Sequence, residues 1–144
     1  MVNKRIYSVI ILILILTGCV SSAKGRVNTV RQSIVNDAKK YIGTPYKYGG
    51  TSAKGFDCSG FTQFIYKRNG IDIPRTVTEM EKSFKKTKNP SIGDIVTFNN
   101  PNHVGILVGN NKFIHASTSR GVVIDNLSDS WYKKRLNGYF TAFY

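Results

Sequence analysis

Cysteine and histidine are scarce in this chain, with two of each in 144 residues. Two cysteines exclude a disulfide-dense scaffold, and with two histidines they leave few groups for a structural zinc site. Acidic side chains are scarce too: 8 Asp and Glu stand against 21 Lys and Arg, a formal charge of +13. That excess predicts attraction to polyanions without naming one. No apolar run reaches the about 20 residues of a membrane-spanning helix. What is present is ordinary for a packed chain, 41% hydrophobic and 12% aromatic, which excludes wholesale disorder. The length allows one domain.

The first residues read as an address rather than as part of a fold. Lys4-Arg5 precede the aliphatic run Ile6 to Leu16, and small residues follow, the layout of a secretory signal. Leu16-Thr17-Gly18-Cys19 resembles the bacterial lipobox, in which a peptidase cuts before a lipidated cysteine. The expected organisation is a lipoprotein signal over 1–18, a lipid on Cys19, a flexible tether to residue 29 and one domain over 30–144. An ordinary secretory signal with an incidental cysteine is the alternative. Removing 1–18 takes away only Lys4 and Arg5 from the basic set, so the positive excess belongs to the exported part.

Along the domain, Val30, Ile34, Ala38 and Tyr41-Ile42 recur at helical spacing before Gly43, which predicts a helix over 30–42. A loop rich in glycine and aromatics follows over 43–55. Asp57 caps a second predicted helix from Cys58 to Gly70, with Cys58, Phe61 and Ile65 on its buried stripe. Thr76-Val-Thr-Glu79 is a capping box that opens a third, short helix carrying Val77, Met80 and Phe84. Beyond Pro90 the pattern turns to strands over 95–98, 104–108, 112–116, 122–125 and 139–144, with Gly109-Asn110-Asn111 as a hairpin turn. Helices first and an antiparallel meander second means α+β, with about five strands. Trp131 and Tyr132 are expected to pack the last helix-like segment onto the sheet, and Asp94 to serve in a turn.

Three short segments carry chemistry. Cys58, in Phe56-Asp57-Cys58-Ser59-Gly60-Phe61, opens a helix, where unpaired N–H groups and the helix dipole favour a thiolate. Gly60 is expected to leave the first turn open to a substrate. The bland alternative is a buried apolar cysteine. His103 and His115 fall on neighbouring predicted strands joined by the hairpin turn, which allows both imidazoles to reach one face. His103 then suits a general base and imidazolium partner of the sulfur, and His115 the group that holds its ring and tautomer. Core histidines are the alternative. A zinc site would need a carboxylate and ligand spacings that the surrounding sequence does not offer, so no metal and no cofactor are expected.

Taken in order, Pro45-Tyr46-Lys-Tyr48-Gly49-Gly50, Phe56-Asp57-Cys58-Ser59-Gly60-Phe61, Pro74-Arg75-Thr76, Gly93-Asp94-Ile95-Val96, His103-Val104-Gly105-Ile106 and Ile114-His115-Ala116 resemble the NlpC family of bacterial cell-wall cysteine peptidases. The resemblance implies a papain-like α+β fold, Cys58 as nucleophile, His103 as base and His115 as the orienting third residue. It also implies hydrolysis of peptidoglycan stem peptides between D-glutamate and the following diamino acid. It places Tyr46 in the substrate cleft, and Asp57 and Ser59 on the free amine of the stem peptide. A carboxylate beside a thiolate opposes its ionisation, so Asp57 is better explained by holding a cation. The Cys58 N–H is expected to supply an oxyanion donor, with Tyr46 as a second contributor. Arg75 either binds a substrate carboxylate bidentately or pairs with a surface acid.

Other readings stay open at this point. They are a papain-like amidase cutting the sugar–peptide link, a non-catalytic wall-binding lipoprotein, and an acyltransferase with a lipid substrate. The lysines at 39–40, 82, 85–86, 88 and 133–134 with Arg135 are either solvated faces or a basic excess suited to anionic lipids and acidic wall polymers. No nucleic-acid motif is present, and the expected state is a monomer.

Overall fold

The computed structural model describes residues 23–100 and 102–144. The expected signal over 1–18 and the lipidation site Cys19 lie outside the described residues. The described residues divide into two units, 23–30 and Arg31–Tyr144. Residues 23–39 are helical (α1). The flexible tether expected up to residue 29 is therefore corrected over 23–29. These residues contain no proline, and extending a helix costs far less than nucleating one. The Thr29 hydroxyl donates to the Gly25 carbonyl at 3.0 Å, a bond between successive helical turns.

Ile34, Val35 and Ala38 of α1 are buried, and Gly43 follows the helix with φ 88°. Arg31 ties α1 to the rest of its unit. Its guanidinium donates to Asp94 Oδ1 at 2.7 Å, to the Ile92 carbonyl at 2.9 Å and to Thr141 Oγ1 at 3.1 Å. Asp94, expected in a turn, is buried there. It also accepts from the Ser91 N–H at 2.8 Å.

A two-stranded hairpin, β1 (Thr51–Ser52) and β2 (Gly55–Phe56), leads into α2 (Cys58–Arg68), which stops two residues before the expected Gly70. Phe61, Thr62, Ile65 and Tyr66 form its buried face. The capping box at Thr76 and Glu79 opens α3 (Val77–Ser83), with Val77 and Met80 buried. Phe84 is its C-cap rather than a helical residue.

The sheet has six antiparallel strands where about five were expected. They are β3 (Lys85–Thr87), β4 (Ile95–Phe98), β5 (His103–Gly109), β6 (Lys112–Ser117), β7 (Gly121–Asn126) and β8 (Leu136–Thr141), in the order β3-β8-β4-β5-β6-β7. The strand that sequence reading misses is β3. Lys-Lys-Thr shows no apolar alternation, because β3 is an edge strand paired only with β8, and lysine there blunts further pairing. The last strand begins at Leu136 rather than Tyr139, after the single turn of α4 (Ser130–Lys133). Between β5 and β6, Asn110 and Asn111 adopt φ 52° and 59°, the left-handed pair that a tight hairpin requires.

Val96, Phe98, Leu107, Phe113 and Leu127 form one apolar cluster, with Tyr132 and Tyr139 packed against it. Side chains alternate across a strand, so His103, Gly105 and Leu107 share a face, as do Phe113 and His115. Both imidazoles rest on this cluster. The His115 ring stacks on Phe113 at 4.7 Å between centroids, and the His103 ring lies 6.2 Å from Phe98. Gly105 is required between them: a Cβ there would stand 2.5 Å from Phe113 Cδ2 and 3.1 Å from His115 Cβ.

Candidate active site

Three pieces of backbone fix Cys58. Asp57 caps α2 by accepting from the Gly60 N–H at 2.7 Å. The preceding residues are strapped to the aromatic loop: Phe56 N–H donates to the Pro45 carbonyl at 3.2 Å, Lys47 N–H to Phe56 at 3.0 Å and Asp57 N–H to Gly50 at 3.1 Å. Gly60 completes the arrangement, since a Cβ there would collide with the Gly50 carbonyl. Gly60 was expected to open the first turn to a substrate. Instead it admits the chain's own loop, and so sets the distance between that loop and Cys58.

The Cys58 thiol is free and half-buried. Burial pushes its pKa up, and the nearby Asp57 charge adds to this. The backbone N–H groups of Val104, Ser59 and Cys58 itself pull the other way. The helix start was expected to favour a thiolate; desolvation works against it and raises the thiol pKa. The backbone of Val104 lowers the thiol pKa, which sets the sulfur near β5, one residue beyond His103.

His103 Nε2 and His115 Nδ1 are 2.7 Å apart. Burial lowers the His103 pKa to about 3, the His115 charge adds to this, and Asp125 opposes it. His115 is lowered by burial against the pull of Asp125. The Asp125 carboxyl resists its own burial, because Arg120, Tyr132 and His115 all donate to it and hold it below the ordinary carboxylate range. The distances are 2.9 Å from His115 Nε2, 2.6 Å from the Tyr132 hydroxyl, and 2.5 and 3.1 Å from Arg120.

These bonds assign the tautomers. Asp125 only accepts, so His115 carries its proton on Nε2 and presents a lone pair at Nδ1. His103 must then donate from Nε2, which leaves its Nδ1 lone pair as the only ring nitrogen available to a proton from Cys58. Asp125, Arg120 and Tyr132 escape sequence reasoning. The histidines appeared to lack a carboxylate neighbour, yet β7 brings Asp125 opposite Phe113, diagonal to His115. The one available signal was an aspartate ending the apolar run Val122-Val123-Ile124. Tyr132 does pack on the sheet as expected, 4.8 Å from Phe113 between centroids, and its hydroxyl serves Asp125 as well.

On the other side of the sulfur, Arg75 donates to Ser59 Oγ at 2.6 Å and to Asp57 Oδ2 at 2.5 Å. Gly49 N–H reaches the same Asp57 oxygen at 3.1 Å. The cation that Asp57 holds is therefore Arg75, and the acid that Arg75 meets is the residue before Cys58. Tyr46 is half-buried, and its pKa rises through burial and then through the proximity of Cys58 and Asp57, which places its hydroxyl within their field. A cleft of about 240 Å³ opens beside His103 and His115, walled by Ser117, Arg120, Trp131 and Tyr132 among others. Among the described residues no three His, Cys, Asp or Glu side chains are grouped to hold a metal ion.

The neutral histidines set the pH dependence of folding. The unfolded chain protonates His103 near 6.5, whereas the folded chain refuses that proton until about 3. Its contribution is whole above pH 6.5 and is lost as pH falls toward 3; at pH 4.5 the loss is roughly 2–3 kcal/mol. Urea unfolding at pH 7.5 and 4.5 checks this. His103→Gln is expected to lose less stability than wild type over that interval by about this amount.

The NlpC/P60 family model matches residues 43–141. Over 110 residues the chain is 46% identical to the Bacillus subtilis (strain 168) protein named "Probable peptidoglycan endopeptidase LytE", covering 73% of this chain and 32% of that one. Over 114 residues it is 38% identical to the Escherichia coli (strain K12) "Murein DD-endopeptidase MepS/Murein LD-carboxypeptidase", covering 75% of this chain and 61% of that one. The chain thus spans less than two thirds of either relative. A crystal structure of an NlpC/P60 family protein from Bacillus cereus superposes with a TM-score of 0.76 at 31% identity, over 79% of this chain and 40% of that chain. With the papain-like α+β fold, the half-buried thiol at a helix start and the coupled imidazoles in place, the chain belongs to the NlpC/P60 family.

Proposed function

We propose that this chain is an exported peptidoglycan endopeptidase that hydrolyses stem-peptide amide bonds through a thioester on Cys58. The observation that carries this reading is the oriented pair of imidazoles, 2.7 Å apart, on two strands that pack against α2, the helix a half-buried thiol opens. Substrate binding displaces water and lets Cys58 pass its proton to His103 Nδ1 as the sulfur attacks the amide carbon. The developing oxyanion meets the Cys58 N–H, with the Tyr46 hydroxyl as a second donor. His103 then gives the proton to the leaving amine, and water resolves the thioester. A lipid on Cys19 would keep the domain at a membrane face of the cell envelope, and the positive charge left after Lys4 and Arg5 are removed from the total of +13 suits acidic surroundings there.

The bond proposed is the one between D-glutamate and the diamino acid, with Asp57, Ser59 and Arg75 binding the acyl side. A second reading, hydrolysis of a D,D cross-link, is favoured by one specific observation. Both oxygens of Asp57 are already engaged by Gly60, Gly49 and Arg75, so a free amine would have to compete with a guanidinium. MepS, by its name, acts on a D,D bond. Mass spectrometry of purified muropeptides after digestion separates the two. Release of L-alanyl-D-glutamate fragments supports the first, and conversion of cross-linked dimers to monomers supports the second. Loss of the intact peptide from the sugar would assign an amidase instead.

A further inference from the structure

We propose that Asp125, clamped by Arg120 and Tyr132, is a positioning residue that fixes the proton arrangement of both histidines and so turns the lone pair of His103 toward Cys58. The inference rests on the reading of Cys58 and His103 as the reacting pair. The carboxylate is held from three directions: both terminal nitrogens of Arg120, the Tyr132 hydroxyl and His115 Nε2. Neither oxygen can turn away from His115 without breaking the fork with Arg120, whose two nitrogens each grip a different oxygen. His115 is itself buried, with its ring pinned between Phe113 and Tyr132. A group so held cannot swap its tautomer by rotating, so the proton on Nε2 stays there. His103 is half-buried at the first position of β5, and the fixed acceptor at His115 Nδ1 decides which of its nitrogens carries the proton.

In the reaction, the Cys58 S–H bond breaks and the proton adds to His103 Nδ1. The imidazolium keeps its Nε2–H on His115 Nδ1, and the Asp125 charge stabilises it through the intervening ring. The same Nδ1 proton then passes to the leaving amine, so His115 and Asp125 end each cycle as they began.

Asp125→Leu tests the proposal, because the side chain keeps its approximate size but loses the acceptor. The Tyr132 hydroxyl, 3.2 Å from His115 Nε2, then donates to that nitrogen, which moves that ring's proton to Nδ1, repels the His103 Nε2–H and drives the His103 proton to Nδ1. Turnover of stem peptides is expected to fall about 10- to 100-fold in kcat with little change in KM, the loss typical of outer hydrogen-bond partners of functional histidines. Imidazole ¹⁵N NMR of the substrate-free protein is expected to show Nε2–H on both rings in wild type and Nδ1–H signals in the variant. Tyr132→Phe, which leaves the carboxylate and its fork with Arg120, should keep the wild-type tautomers. Unchanged tautomers in Asp125→Leu overturn the proposal, whether or not activity falls. An altered tautomer with unchanged kcat overturns it as well. The NMR arm needs no substrate, so a failure to find stem-peptide hydrolysis would count against the peptidase reading alone.

Discussion

Cys58→Ala is expected to reduce stem-peptide hydrolysis by at least about 10⁴-fold without unfolding the protein. The side chain makes no disulfide, and alanine keeps the backbone N–H groups of Cys58 and Ser59 in place. The oxyanion donor and the substrate contacts survive, and only the bond-forming atom is lost. Muropeptide digestion measured beside a thermal melt checks both halves. Rates within tenfold of wild type would mean that the sulfur does not attack the substrate, and would favour a wall-binding protein. Serine at the same position is a harsher test of chemistry than of fit. A hydroxyl is a much weaker acid than a thiol, so His103 is a far poorer base for it and Cys58→Ser should be nearly as inactive as alanine.

His103→Ala is the second large effect, again about 10⁴-fold or more in kcat, because the thiol pKa is raised and ionisation at neutral pH depends on a partner. A cysteine already ionised by its helix would retain much of its reactivity without the histidine. The two losses should not add. The double variant Cys58→Ala with His103→Ala is expected to be no slower than either single variant, since nucleophile and base act as one unit. Additive losses would show that the two groups serve separate steps. Kinetics of the three variants on one purified muropeptide decide the matter.

Much of this site was legible because its chemistry needs rare residues. With two histidines in the whole chain, the hairpin at Gly109-Asn110-Asn111 was enough to bring His103 and His115 to the same face. The N-cap Asp57 and the capping box at Thr76 likewise marked the starts of α2 and α3, because an N-cap is a local signal. What sequence reasoning missed depends on partners far along the chain. The strand β3 exists only because β8 offers it a ladder, so Lys-Lys-Thr carries no pattern of its own. Arg75 finds Asp57 across a loop and the first turns of α2, and no spacing rule connects them. Gly60 has a recognisable role only once the Gly50 carbonyl is seen against it. The raised thiol pKa is a burial effect, which the helix-dipole argument by itself does not include. Asp125 reaches His115 diagonally across two strands, and Tyr132 arrives from a single helical turn whose aromatic residues read as packing alone.

The most direct test of the central claim is to block the sulfur and follow turnover. Protein treated with iodoacetamide, with the fraction alkylated at Cys58 measured by peptide mapping, is assayed on purified muropeptides. Residual activity is predicted to fall in proportion to the unmodified fraction of Cys58 and to reach background at full modification. Undiminished hydrolysis by protein fully alkylated at Cys58 would contradict the account.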